Sequence, residues 1–321
     1  MKKFLVSSLM VVMVFTLIGC GSGSETVTEI ETETEKQVVE QENQSNVTKF
    51  PLTVKDASGV DVVLEKEPQR IVSIAPAETE VLFALGLGDR VVGVTDWCDY
   101  PAEAKTKSKI GDMNSNLEAI LALNPDLIIG GYTLNTEAIK KLRELKQTVF
   151  TVEPKTIEQV KERIVQVGLI TNRQTEAEQL VESMNTKIDT VANAVSKLSE
   201  NEKKKIYLEF DAMWTVGQGE FGHDLIGMAG AINVAKDKQG WLEVNDEFVI
   251  KQNPDVIVYA SYTKDNAVAE VIKKRNGWAA ITAVKDNQVL GIDANLLSRP
   301  GPRIADGLHE LAKGVYPELV K

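Results

Sequence analysis

From residue 50 onward, short apolar runs alternate with segments of helical spacing. Val- and Ile-rich runs occupy 70–74, 91–95, 127–131 and 148–152. Between them, 78–85, 117–123 and 136–145 carry apolar residues three and four apart. Strand-length runs separated by helix-length segments predict βαβ units and a mainly parallel sheet. The second half repeats the style. Strands are predicted over 205–210, 256–261 and 288–292, and helices over 223–229, 247–251, 267–275 and 303–315. The expected fold class is α/β, with two α/β lobes over 50–173 and 201–321.

Between the lobes lies TEAEQLVESMNTKIDTVANAVSKLSENEKKK. Its apolar residues are Leu180, Met184, Ile188, Val191, Val195 and Leu198, stepping by four, four, three, four and three. That period lays one apolar stripe along a helix, and no Gly or Pro interrupts it. One long bridging helix over 174–200 is therefore expected. A coiled-coil dimer seam is the rival, but only three heptads are present and the lobes need a connector. A monomer is expected.

The first 49 residues follow a different pattern. Lys2 and Lys3 precede an apolar run from Phe4 to Ile18, which ends in Leu17-Ile18-Gly19-Cys20. The run has the length of a signal-peptide core and is short for a membrane span. Residues 1–19 read as a signal peptide, and Cys20 as the lipidated cysteine of a lipobox. Residues 21–49 hold seven glutamates against two lysines. Such a segment cannot bury enough surface to offset its ordering entropy. Residues 20–49 thus read as a lipid-anchored acidic tether, with a reach of roughly 30 Å by random-coil scaling. The expected location is extracytoplasmic, with the lipid anchor on the membrane.

Net charge is −11, which excludes nucleic acid as a natural partner. With Cys20 lipidated, Cys98 stands alone, so no internal disulfide or cysteine-rich metal site is expected. Cys98 reads as a half-buried structural residue. His223 and His309 sit in no catalytic motif, and neither a G-x-S-x-G elbow nor an HExxH is present. A secreted α/β hydrolase is therefore disfavoured, and no enzyme, metal or cofactor is expected.

One phrase occurs twice. NLEAILALNPDLII at 116–129 returns as NDEFVIKQNPDVIV at 245–258, with six identities and four aliphatic swaps. Each copy predicts a helix that ends before a proline and turns into a buried strand. That accounts for the Asn-Pro-Asp turn. It does not require Glu118 and Glu247, which gain only about 0.3–1 kcal/mol from the helix dipole when exposed.

RIVSIAPAETEVLFALGLGDRVVGVTDWCDYP, then NLEAILALNPDLIIGG, then SRPGPRI resemble the periplasmic binding proteins that serve ABC importers of vitamin B12, siderophores and haem. The resemblance covers nearly all of residues 50–320 and is nearest to the cobalamin binders. It implies two lobes bridged by one long helix, small lobe movements, and capture without covalent chemistry. It also implies that one glutamate per lobe meets arginines on a two-fold permease dimer. Glu118 and Glu247 occupy those positions.

A large ligand needs aromatic walls and a few placed polar groups. Aromatic residues make up only 6% of the chain. Trp97, Tyr100, Tyr132 and Trp214 fall after expected strands, where open α/β lobes place ligands, and Trp241 lies just before the second copy of the repeated phrase. Trp278 reads as core. By resemblance, Trp97 and Trp241 fall on cleft aromatics of cobalamin binders, with Tyr132 and Trp214 near others. Arg299 matches a cleft arginine, and Asp293 or Asn295 falls near a cleft aspartate. Where those proteins carry a further tryptophan, this chain has Asp112 and Met113. The expected ligand is cobalamin or a related corrinoid, with a ferric siderophore or haem as the alternatives.

Overall fold

A computed structural model describes residues 47–112, 115–263 and 267–321. The signal-peptide and lipobox readings, Cys20 included, lie outside these residues. Among the described residues no helix is long and apolar enough to cross a membrane. The body begins earlier than residue 50. Thr48 is buried, its N–H donating to Asn172 Oδ1 at 3.0 Å and its hydroxyl to the Leu169 carbonyl at 2.7 Å. The last three residues assigned to the tether therefore belong to the compact unit Val47–Lys321.

An antiparallel hairpin opens it, β1 (Leu52–Lys55) on β2 (Asp61–Leu64). The first lobe follows as β3 (Ile71–Ser73), α1 (Pro76–Ala84), β4 (Val91–Val94), β5 (Ser108–Lys109), α2 (Leu117–Ala122), β6 (Leu127–Gly131), α3 (Thr136–Glu144) and β7 (Val149–Val152). These five strands form one parallel sheet in the order β5-β4-β3-β6-β7. Two long helices come next, α4 (Ile157–Thr171) and α5 (Gln174–Val195).

The second lobe runs β8 (Lys205–Glu209), β9 (Trp214–Val216), α6 (Phe221–Met228), β10 (Ile232–Asn233), β11 (Trp241–Glu243), α7 (Asp246–Gln252), β12 (Val256–Ser261), α8 (Ala267–Lys273), α9 (Thr282–Lys285), β13 (Val289–Asp293), α10 (Ala294–Ser298) and α11 (Ile304–Val315). Its sheet is parallel in the order β10-β8-β12-β13. A separate antiparallel ribbon pairs β9 with β11.

The central strands of both sheets are buried on both faces, as parallel sheets require. Along β6, Leu127 and Ile129 enter one core while Ile128 enters another. Along β12, Val256, Val258 and Ala260 join the first core while Ile257 and Tyr259 face a third, around Trp278. The shared core runs from lobe to lobe through α5, whose Ala177, Met184 and Val191 are buried in it.

Helix α5 packs against α4 on one side and α11 on the other, so the bridging helix is held by both lobes. The entry to it is tight. Asn172 takes a left-handed conformation at φ 57°, and the Arg173 N–H returns to the Gly168 carbonyl at 2.7 Å. A Cβ at Gly168 would lie 2.6 Å from the Ala177 Cβ, so glycine is what lets the two helices approach. The helix ends at Val195 rather than residue 200. Glu202 captures both the N–H and the hydroxyl of Ser199, and that local turn competes with further helix.

Candidate functional site

A cavity of about 790 Å³ opens between the lobes. The first lobe lines it with Ala75–Glu78, Asp96, Trp97, Asp99, Gly131, Leu134 and 152–154, and the second with Tyr262, Asn295 and 298–300. These positions follow the carboxyl ends of β3, β4, β6, β7, β12 and β13, the side on which open α/β sheets hold ligands. Trp97, Leu134 and Tyr262 are 59%, 63% and 77% exposed. Large apolar side chains left this open around one hollow form a surface that awaits cover.

Behind the apolar lip, ion pairs join the lobes. Glu78 and Glu80 project from α1, whose start is set by Pro76 at its first turn and by the Ser73 hydroxyl donating to the Ala75 carbonyl. Arg163 of α4 donates to Glu78 at 2.6 Å and to the Pro300 carbonyl of the other lobe at 2.5 Å. Burial pushes the Glu78 carboxyl up, against the pull of Arg163. Arg299 donates to Glu80 at 3.1 Å, to Asp99 at 2.7 Å and to the Trp97 carbonyl at 3.2 Å.

Arg303 grips the same Glu80 through two nitrogens at 2.6 and 2.9 Å, and its guanidinium lies 3.8 Å from the centre of the Tyr100 ring. The Glu80 hydrogen bonds hold the Arg303 pKa above its ordinary value. Partial burial works against the charge on Asp99, but the hydrogen bond and charge of Arg299 outweigh it and lower its pKa. These contacts fix the two lobes against each other at the back of the cleft.

Sequence reasoning missed this latch. Its partners stand 85 to 223 residues apart. The available signal was two acids, Glu78 and Glu80, inside the otherwise apolar APAETEVLFAL.

The expected ligand residues do not all meet at the cavity. Trp97 and Arg299 line it. Tyr100 lies beneath Arg303, and the half-exposed Tyr132 follows β6 outside the lining. Trp214 and Trp241 sit on the β9–β11 ribbon. The Trp241 ring packs on Phe210 at 4.7 Å between centres, and its Nε1 donates to Glu220 at 3.1 Å. Asp293 turns back to accept the Asn295 N–H at 2.9 Å and borders another hollow, with Asp306, His309 and Glu310. Arg299, read as a ligand donor, is already held by two carboxylates.

Cys98 is 1% exposed rather than half-buried, lies 3.1 Å from both the Thr79 and Thr95 hydroxyls, and has its thiol pKa pushed up by burial. Trp278 is buried core, as expected. Among the described residues no group of three or more His, Cys, Asp or Glu could hold a metal ion.

The repeated phrase builds the same corner twice. Asn116 and Asn245 cap their helices, accepting the Ala119 and Phe248 N–H groups at 3.1 and 2.9 Å. Asn124 and Asn253 turn the chain at φ 46° and 45°. Asp126 accepts the N–H groups of Gln69 and Arg70, and Asp255 accepts that of Lys205. Each aspartate thereby pins the start of the neighbouring strand. Glu118 and Glu247 stand exposed at the second helical position of each copy. Helices returning to parallel strands start on the strands' carboxyl side, so both glutamates lie towards the cleft side of their lobes.

Comparison with known proteins places this arrangement. The periplasmic binding protein family pattern matches residues 71–296. An ABC transporter substrate-binding lipoprotein of Bacillus subtilis, YvrC, itself uncharacterised, is 38% identical over 279 residues, spanning 85% of this chain and 88% of its own. The crystal structure of a possible iron-binding (periplasmic solute-binding) protein from Staphylococcus epidermidis superposes with a TM-score of 0.70 at 32% identity, over 78% of this chain and all of that one. The periplasmic vitamin B12 binding protein BtuF of Vibrio cholerae superposes with a TM-score of 0.68 at 25% identity, over 78% and 97%.

The chain belongs to the periplasmic binding protein family. It is a substrate-binding protein of the ABC-transporter class, a family of binders rather than enzymes whose homologues are extracytoplasmic.

Proposed function

We propose that this protein captures cobalamin or a related corrinoid in the interlobe cleft and delivers it to a two-fold ABC permease. The observation that carries the ligand reading is the 790 Å³ cavity between the lobes, edged by the unpartnered faces of Trp97 and Tyr262. A hollow of this size suits a large, partly apolar ligand. Relatives named for cobalamin and vitamin B12 binding support it. Trp97 is the leading contact, while Tyr132, Trp214 and Trp241 stay candidates should the lobes close further. A second reading, a ferric siderophore or haem, is favoured by the iron-binding description of the Staphylococcus relative. The test is calorimetric titration of the purified chain with cyanocobalamin, haem and ferric siderophores in parallel. Saturable binding of cyanocobalamin at micromolar affinity or tighter is expected. A flat cyanocobalamin trace beside a tight siderophore or haem trace would overturn the ligand.

Glu118 and Glu247 serve as docking carboxylates, one per lobe, facing two equivalent basic sites on the permease dimer. Their support is equivalent exposure at equivalent corners. Cys20 carries the lipid, and the acidic tether lets a monomeric body work close to the membrane. Cys20→Ser should release the protein into the soluble fraction, and continued anchoring would refute the lipobox.

A further inference from the structure

The charges on the cleft wall do not balance. Four acids line it, Glu78, Asp96, Asp99 and Glu153, against one cation, Arg299. That cation is committed, since Arg299 already serves Glu80 and Asp99. Behind the wall, Arg163 is committed to Glu78 and Arg303 to Glu80. Two wall carboxylates remain without an ion-pair partner among the described residues. Asp96 is exposed beyond β4, and Glu153, half-buried beyond β7, takes one backbone N–H from Thr133 at 2.9 Å. In the sheet order β4-β3-β6-β7, three strand spacings separate them, or roughly 14 Å along the cleft floor. Acceptors at both ends of a hollow, with no uncommitted cation among the described lining residues, disfavour anions and suit donors spread over a wide ligand.

We propose that Asp96 and Glu153 set the charge specificity of this cleft. They select a neutral or cationic ligand whose rim carries N–H donors, and they reject its carboxylate counterpart. A corrinoid bearing side-chain amides fits that requirement; the same ring bearing carboxylates, haem with its propionates and anionic iron chelates do not. The proposal rests on the cleft being the ligand site, as in the preceding reading, and it says which chemical form binds there.

The test compares ligands matched in shape and different in charge. The purified chain is titrated with cobyric acid, whose ring side chains are largely amides, and with cobyrinic acid, whose side chains are carboxylates. The amide form should bind tighter by roughly 30-fold or more, the effect of one unrelieved like-charge contact. Asp96→Asn with Glu153→Gln should shrink that gap to about fivefold or less while leaving the melting temperature in place. Equal affinity of the two corrinoids for the unaltered chain, or an unchanged gap in the double variant, would overturn the proposal.

If neither corrinoid binds, the corrinoid reading fails. The charge rule is then read on cationic ferrioxamine B against anionic ferric enterobactin. Preference for the cation, lost in the double variant, upholds it. Preference for the anion, or binding of neither, overturns it.

Discussion

The corner at 116–129 and the corner at 245–258 share a backbone but not a set of loads. In the first lobe Asp126 holds two backbone N–H groups, while Arg70 caps the helix by donating to the Leu123 and Asn124 carbonyls. In the second, Asp255 holds one N–H, Lys205 caps the Gln252 carbonyl, and Asn253 also ties down Thr282. Folding has solved the same turn with different auxiliary bonds. The capping and turning asparagines recur with the bonds the corner needs, whereas Glu118 and Glu247 recur at the same position and the same exposure with no side-chain hydrogen bond or ion pair among the described residues. The comparison thus separates what the turn requires from what it merely carries.

Substitutions can break that separation, in descending order of effect on stability. The reference is a carboxylate outside the corners that the fold does demand. Glu80→Ala leaves the partly buried Arg303 without its carboxylate and Arg299 with Asp99 alone, and should cost about 3 kcal/mol in urea unfolding. Asp126→Ala should cost about 1–3 kcal/mol and Asp255→Ala less, because Asp126 accepts from two residues and Asp255 from one. Equal losses would show that the auxiliary bonds are not what distinguishes the corners. Asn124→Ala and Asn253→Ala should each cost about 1 kcal/mol, with glycine tolerated at both, since a left-handed φ is what the position asks for. Glu118→Ala with Glu247→Ala should move stability by no more than about 0.5 kcal/mol and leave ligand affinity intact, yet abolish uptake. Retained uptake would return both residues to a purely local role.

Acid offers a further check on the latch. Asp99 has its pKa lowered in the folded chain. Its stabilising contribution is therefore complete at neutral pH and is lost as pH falls through that depressed value. Asp99→Asn should remove this component from the acid-unfolding curve and leave the alkaline side unchanged.

Much of the fold was legible because both sheets obey simple periods. Runs such as LIIGG and VIVYAS are buried on both faces and stand out as continuous apolar strands. The stripe from Leu180 to Leu198 announced the bridge. Helix α4 was passed over, because VKERIVQVGLIT runs into the bridge with no Gly-Pro break. The twin corners were legible because the chain repeats itself.

The latch was not, since nothing local to Glu78 or Glu80 reveals an arginine more than eighty residues away. The same holds for the aromatics. A position after a strand shows that a tryptophan sits at a sheet edge, as Trp97 does. It does not show that a ribbon such as β9–β11 carries Trp214 and Trp241 away from the cavity lining.

The central claim is that the hollow between these lobes takes a corrinoid. Titration of the purified chain with cyanocobalamin, followed by calorimetry and by tryptophan fluorescence, tests it most directly. The expected result is one saturable site of micromolar affinity or tighter, weakened at least about tenfold in Trp97→Ala, as loss of an aromatic anchor would produce. No heat and no quenching with cyanocobalamin, under conditions where haem or a ferric siderophore binds, would contradict it.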